Sequence, residues 1–287
     1  MEVKNYLPEY QYSQLELWRI VIGFTKELSK FPHPFRNAGY SFHRIEPLIE
    51  NLTPDLVSSR KGFWLISDLT LDPTKDLSSF DKYGALGPSI LADIQSPHYH
   101  KDLGKPSILL IGSEESVTSQ KCKNSKCAGL IVFPKILFYG HVNFFDEILA
   151  NEFIKIKSIE SEPPTSFLAV PETDGAELKR AIASVLVTRL PKINEKPNEF
   201  FTTDIVDGLL NHEVGLFSDY SKKKLAGKVK SNLFDFKNDI GKNFITYNQR
   251  RDSFRYKELK SYNKIISAIK TWAGLGHIQE TVDIYTE

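Results

Sequence analysis

Residues 53–83 read TPDLVSSRKGFWLISDLTLDPTKDLSSFDKY, and this stretch decides how the first half of the chain is read. Two extended runs, Asp55–Ser58 and Gly62–Leu71, flank the polar Ser59-Arg60-Lys61, which predicts a β-hairpin. Pro54-Asp55 opens the first run, and Asp68 lies thirteen residues on in an apolar strand. Strands paired in this way bring two carboxylates side by side, the arrangement a hard cation with oxygen ligands requires. The loop Asp72–Ser79 that follows is rich in Asp, Thr and Ser.

Outward from the hairpin, helical and strand-like patterns alternate. On the N-terminal side, Leu17, Val21, Phe24 and Leu28 give Ser13–Lys30 the spacing of an amphipathic helix. A short helix is expected over Glu46–Asn51, with Pro47 in its first turn, where a missing N–H does no harm. On the C-terminal side, a helical stretch is expected around Ser89–Gln95. The apolar runs Pro106–Gly112 (PSILLIG) and Ala128–Pro134 (AGLIVFP) then suit strands covered on both faces. His141–Ala150 and Asp174–Arg189 read as helices, the latter capped by Thr173, and Ser166–Val170 reads as a further strand. Residues 1–190 are therefore expected to form an α/β domain, a mixed sheet with flanking helices. The polar, twice-prolyl Pro191–Asn198 marks the boundary with a second domain over residues 199–287.

The 287 residues carry a formal net charge of +1, which hides an uneven distribution. Tyr220–Lys270 holds fourteen Lys and Arg against four acids, so the remainder of the chain is net acidic. Concentrated positive charge attracts polyanions by counterion release, nucleic acid being the commonest, although a basic stretch can also be a solvated helical face or a docking face for an acidic protein. No apolar run approaches the roughly eighteen residues of a membrane helix, and the N-terminus MEVKNYLPEYQYSQ lacks the pattern of a secretory signal. With only two cysteines, a disulfide-framed secreted fold is not expected; a cytoplasmic protein is, and the sequon Asn51-Leu52-Thr53 then has no meaning.

Beyond the boundary segment, over residues 199–287, the order is helix, helix, hairpin, helix. Phe201–Asn211 begins at Thr202 or Thr203 as a cap and puts Ile205, Leu209 and Leu210 on one face. Ser221–Leu233 has an apolar stripe of Leu225, Val229 and Leu233, opposite Lys223, Gly227, Lys230 and Ser231. Gly227 in mid-helix costs about 1 kcal/mol relative to Ala, a cost that close approach of another backbone would explain. Asn243–Asn248 and Ser253–Glu258 form two strand-like runs joined by the charged Gln249–Asp252.

This order resembles a winged-helix DNA-binding domain. The resemblance implies that Ser221–Leu233 is a recognition helix, with Lys222, Lys223, Lys224, Lys228 and Lys230 entering a major groove. Phe244–Lys257 would be the wing, placing Arg250, Arg251, Arg255 and Lys257 on backbone or minor groove. Residues 53–83 in turn resemble the core of the PD-(D/E)XK nucleases, which include many restriction endonucleases and place an Asp at the start of one strand and an acid-x-Lys on the next. That resemblance implies Mg²⁺-dependent cleavage of double-stranded DNA, with Asp55 and Asp68 as metal ligands, Glu50 or Glu46 assisting from the preceding helix, and room for a homodimer. The chain departs from the pattern at Thr70, which stands where the family has its Lys; Lys75 or Lys82 would then supply the ammonium. The short space between Glu46–Asn51 and Asp55 also leaves little room for the family's first strand. The alternatives are a non-catalytic DNA-binding regulator or partner subunit with a degenerate nuclease fold, and an interaction protein that docks an acidic partner.

Other constellations are weaker. His98, His100, Cys122 and Cys127 flank the PSILLIG strand and offer two nitrogen and two sulfur ligands for zinc, but His-x-His on a strand points to opposite faces. Ser113, Ser116, His141 and Asp146 have the residue types of a hydrolase triad without a Gly-x-Ser-x-Gly elbow. There is no Walker A loop and no Gly-x-Gly-x-x-Gly after a strand. Trp18, Trp64 and Trp272 are expected in the core or at a domain interface.

Overall fold

A computed structural model describes residues 14–26, 30–94, 103–118, 127–133, 136–140, 144–159, 163, 167–190, 199–257 and 262–275. Six strands form one mixed sheet: β1 (Ser41–Ile45), β2 (Leu56–Arg60), β3 (Phe63–Thr70), β4 (Ser107–Ser113), β5 (Ala128–Phe133) and β6 (Leu137–Tyr139), in that spatial order. β1, β2 and β3 are an antiparallel meander, β3, β4 and β5 are parallel, and β6 returns antiparallel to β5. The α/β expectation holds at this level.

The apolar runs explain the centre. Every residue of β3 from Trp64 to Thr70 is buried, because helices cover both faces. One face carries Trp64 and Ile66 and packs with Val57, Ile108, Leu110 and Ile131 under α3 (Ser79–Ala85) and α4 (Ile90–Asp93). The other face lies against α1 (Gln14–Gly23), whose Gln14 side chain donates to Leu69 O (2.9 Å) and accepts from Leu71 N (3.3 Å). The β2–β3 connection is the two-residue Lys61-Gly62, where Gly62 takes φ +84, a conformation that costs a side-chain-bearing residue dearly.

The meander also corrects the reading of residues 46–51. β1 supplies a first strand upstream of them, with a bulge between Phe42 and Arg44, and the segment itself is not helical. Glu46, Glu50 and Asn51 all have positive φ (46, 47 and 69). Glu46 N donates to Asp55 O (2.8 Å), while Ser218 Oγ donates to Glu46 O (2.5 Å), so the carbonyl a helix would bond internally is taken elsewhere. Ile49 and Leu52 exchange backbone bonds (2.8 and 2.7 Å) across Glu50-Asn51, a two-residue turn of the kind that needs positive φ at both positions.

Other boundaries move as well. The helix expected over His141–Ala150 is α6 (Glu147–Lys155), because Asp146 caps it by accepting from Ile148 N and Leu149 N (3.1 and 3.2 Å). The helix expected from Asp174 is α7 (Gly175–Arg189), with Asp174 rather than Thr173 at its N-cap; Thr173 Oγ1 accepts instead from Val170 N (3.0 Å). Residues 167–170 form no strand, since Leu168 N bonds to Leu209 O on a helix. Two short helices, α2 (Pro34–Asn37) and α5 (Glu114–Val117), complete the first half. Trp18, Trp64 and Trp272 are all buried, as expected. Among the described residues no helix is long and apolar enough to cross a membrane.

The chain divides into two compact units, residues 1–166 with 215–221, and residues 167–214 with 222–287. α7 thus belongs with the second unit, packing on α8 (Thr202–Leu210) and α10 (Tyr262–Trp272), whereas the sequence places it with the first. The expected linker, residues 191–198, lies outside the described residues. In the second unit, β7 (Glu199–Phe201), β8 (Ile245–Asn248) and β9 (Ser253–Tyr256) form a sheet in the order β7-β9-β8. Phe201, not Thr202 or Thr203, takes the N-cap position of α8, and its N–H donates to Asp204 (2.8 Å). α9 (Asp219–Asn238) is longer than its apolar stripe requires; Leu225, Val229, Leu233 and Phe236 are all completely buried.

Candidate functional site

The hairpin register places the two carboxylates opposite each other. Leu56 pairs with Ser67, so Asp55, the residue before β2, comes level with Asp68 on β3. Backbone donors fix both groups: Asp55 N donates to Asp68 Oδ1 (3.2 Å) and Leu69 N to Asp55 Oδ2 (2.5 Å). Asp68 shares the face of Trp64 and Ile66, beneath α3, and is buried. Burial pushes its carboxyl up from the usual range, against the pull of Lys75, the Asp55 N–H and Tyr83.

Lys75 closes the group. Its Nζ stands 3.7 Å from Asp55 Oδ2 and 3.5 Å from Asp68 Oδ2. Thr70 is what brings it there. Two residues beyond Asp68 and on the same face, Thr70 accepts through Oγ1 from Asp72 N (3.1 Å). Asp72 Oδ1 then accepts from Thr74 N and Thr74 Oγ1 (2.7 Å each), and Lys75 N donates to Asp72 O (3.3 Å). Thr70, where the nuclease resemblance would lead one to expect a lysine, therefore anchors the turn that returns a lysine from five residues further on. Thr70 O is held in its turn by the Ser116 hydroxyl (2.9 Å).

The remaining expected members separate. Glu50 sits on the exposed two-residue turn rather than on a helix, and Lys82 is exposed on α3. Both line a different cavity of about 430 Å³, with Asn51, Leu52, Ala85 and Leu86. Neither has a described hydrogen bond or ion pair with Asp55, Asp68 or Lys75. Glu46 is buried, its Oε2 accepting from Ser221 Oγ (2.7 Å). Tyr83 was not singled out in the sequence: burial and the adjacent Asp68 carboxylate raise its hydroxyl pKa. Its spacing from Phe80, one turn apart in a short helix, was the available signal that it faces inward.

Among the described residues no three His, Cys, Asp or Glu side chains gather into a metal-binding group. The donors at the hairpin are two carboxylates, and these suit Mg²⁺, which is commonly bound through one or two carboxylates while water and substrate phosphate complete its shell. His98, His100 and Cys122 lie outside the described residues, as does His141; Cys127 is buried. Asp146 takes no part with Ser113 and Ser116. It is fully buried at the other end of β2, where Arg60 donates to it twice (2.7 and 2.6 Å) and Tyr40 Oη once (2.5 Å). Burial works to raise the Asp146 carboxyl, but these bonds and the α6 N–H groups outweigh it and hold it below the ordinary value.

In the second unit the expected basic residues fall into two groups. Lys223, Arg250, Arg255 and Lys257 are exposed, the last donating to Lys242 O (2.8 Å), and Lys222 is half-buried. Lys224 pairs with Glu172 (2.8 Å), Lys228 with Asp174 (2.8 Å), Lys230 with Asp252 (2.7 Å) and Arg251 with Glu199 (3.1 Å). Gly227 is exposed, with no heavy atom outside its own helix turn within 4 Å of where a Cβ would lie, so nothing among the described residues requires a glycine there. No family model, no characterised protein and no solved structure matches the chain.

Proposed function

We propose that the protein is a Mg²⁺-dependent endonuclease acting on double-stranded DNA, with a PD-(D/E)XK-like first unit and a winged-helix-like second unit. The observation that carries the reading is the meeting of Asp55, Asp68 and Lys75 at the end of the β2–β3 hairpin. The antiparallel meander entering a parallel pair is compatible with a restriction-endonuclease-like core. The succession α7, β7, α8, α9, β8, β9, with its sheet order β7-β9-β8, supports the winged-helix reading.

Asp55 and Asp68 would hold the metal, which when bound activates a water and stabilises the charge that builds on phosphate. The backbone donors at Asp55 and Leu69 keep the two carboxylates in place for it. The Lys75 ammonium, within reach of the same oxygens, would orient the attacking water or the scissile phosphate. Affinity would come from α9 and the β8–β9 turn through Lys223, Arg250 and Arg255, joined by the lysines now paired with surface acids. Such exposed pairs contribute little in water, and phosphates can replace them.

The test is incubation with plasmid DNA, in Mg²⁺ and in EDTA, of the protein and its Asp68→Ala variant. Mg²⁺-dependent fragments are expected from the former only, with DNA retardation nearly equal for the two. Cleavage undiminished in Asp68→Ala would refute the assignment. The absence of lysine at position 70 favours a second reading, a DNA-binding protein without cleavage, whose sign is retardation with intact plasmid under every condition.

A further inference from the structure

We infer that the Lys75 ammonium occupies the divalent cation's own position between Asp55 and Asp68 and is displaced when the cation binds; this rests on the metal site proposed above. Two carboxylates directly opposite on neighbouring strands repel each other, and a cation between them relieves that repulsion. Lys75 is the one seen to provide it, reaching one oxygen of each carboxylate.

Its hold is loose. Separations of 3.5 and 3.7 Å exceed the 2.7–2.9 Å of a well-made charge-assisted hydrogen bond. The side chain is 32% exposed and approaches from a turn, on a stem with four rotatable bonds. The carboxylates, by contrast, are fixed by backbone N–H groups and keep their positions without the lysine. One ammonium leaves the pair with an excess negative charge that a divalent ion removes. Mg²⁺ also sits at about 2.0–2.1 Å from its ligand oxygens, too close to leave an ammonium on the same two atoms. The lysine therefore swings outward, while its backbone stays tethered through Asp72 to Thr70. Its charge is thereby released toward the open side of the site as the metal arrives, which makes metal loading and lysine placement a single event.

Calorimetric titration of Mg²⁺ into the full chain without DNA tests the exchange. Lys75→Met is expected to bind Mg²⁺ about tenfold more tightly than the unmodified protein, a difference of ~1.4 kcal/mol. Asp68→Asn in the Lys75→Met background is expected to remove the binding. Lys75→Gln, with a neutral polar tip, repeats the comparison if the Met variant folds poorly. Equal or weaker binding by the lysine variants would overturn the displacement while leaving the two-carboxylate site in place. Absence of binding in every protein would overturn both.

Discussion

Strand β2 has a charged cluster at each end, and the two are built on opposite terms. At its last residue, Arg60 meets Asp146 in a fork of two short bonds, Tyr40 adds a third, and α6 supplies two N–H groups, so the carboxylate is saturated. Just before its first residue, Asp55 faces Asp68 across the register with an ammonium standing off by 3.5–3.7 Å. The Arg60 plane lies over the Phe63 ring with 4.3 Å to the centroid, a further restraint on the fork. Saturation suits a permanent fastening between distant parts of the chain, whereas carboxylates with a replaceable counter-ion suit a ligand that comes and goes.

The largest effect that would break this contrast is on stability. Asp146→Ala leaves the half-buried Arg60 guanidinium and the buried Tyr40 hydroxyl without their partner and is expected to cost about 3 kcal/mol, read by urea unfolding. Asp68→Asn, whose neighbour Lys75 can turn to solvent, should cost much less; equal losses would end the distinction. The same cluster sets a pH dependence. Because the folded-state pKa of Asp146 is depressed, its contribution is complete above the unfolded value, about 4, and is lost as pH falls through the folded one. Asp146→Asn should accordingly flatten the acid limb of a stability–pH curve.

The exposed pairs of the second unit extend the contrast to a third setting. Replacing Glu172 by Gln together with Asp174 by Asn removes the acids paired with Lys224 and Lys228. Severalfold tighter DNA binding is expected, with a salt dependence of log K steeper by about 0.9 for each lysine that then reaches a phosphate. An unchanged slope would place α9 away from the DNA backbone. Gly227→Ala gives the smallest effect: about 0.5–1 kcal/mol of added stability, because the position is open and helical. A simultaneous loss of DNA affinity would show that the glycine serves the partner rather than the fold.

What was legible in the sequence follows the range of the forces involved. β4 and β5 were readable because burial on both faces demands unbroken apolar runs, β3 as the second arm of a hairpin about a short polar turn, and α9 because Leu225, Val229 and Leu233 repeat every four residues. β7 was not, being three residues that form a strand only by pairing with β9. Nor was the turn at 46–51, whose backbone partners lie at Asp55 and, far along the chain, at Ser218. At the site, the spacing from Asp55 to Asp68 fixed both carboxylates. The choice between Lys75 and Lys82 depended on a turn held by Thr70, and Thr70 was visible only as a missing lysine. The Arg60–Asp146 fork joins residues 86 apart and left no local trace.

Gly112 on β4 gives the site a dependence on a residue with no chemistry of its own. A Cβ at this position would overlap Thr70 O and crowd Ser116 Oγ, so the strand beside the site must be bare at that point. Thr70 O is what the Ser116 hydroxyl holds, and the Thr70 side chain is what holds the Asp72 turn. A single methyl group added at residue 112 would act as a wedge, prising β3 from β4 and carrying the lysine-bearing turn with it. Variation at this glycine would thus register as a fault at the Asp55–Asp68–Lys75 cluster even though both carboxylates were intact.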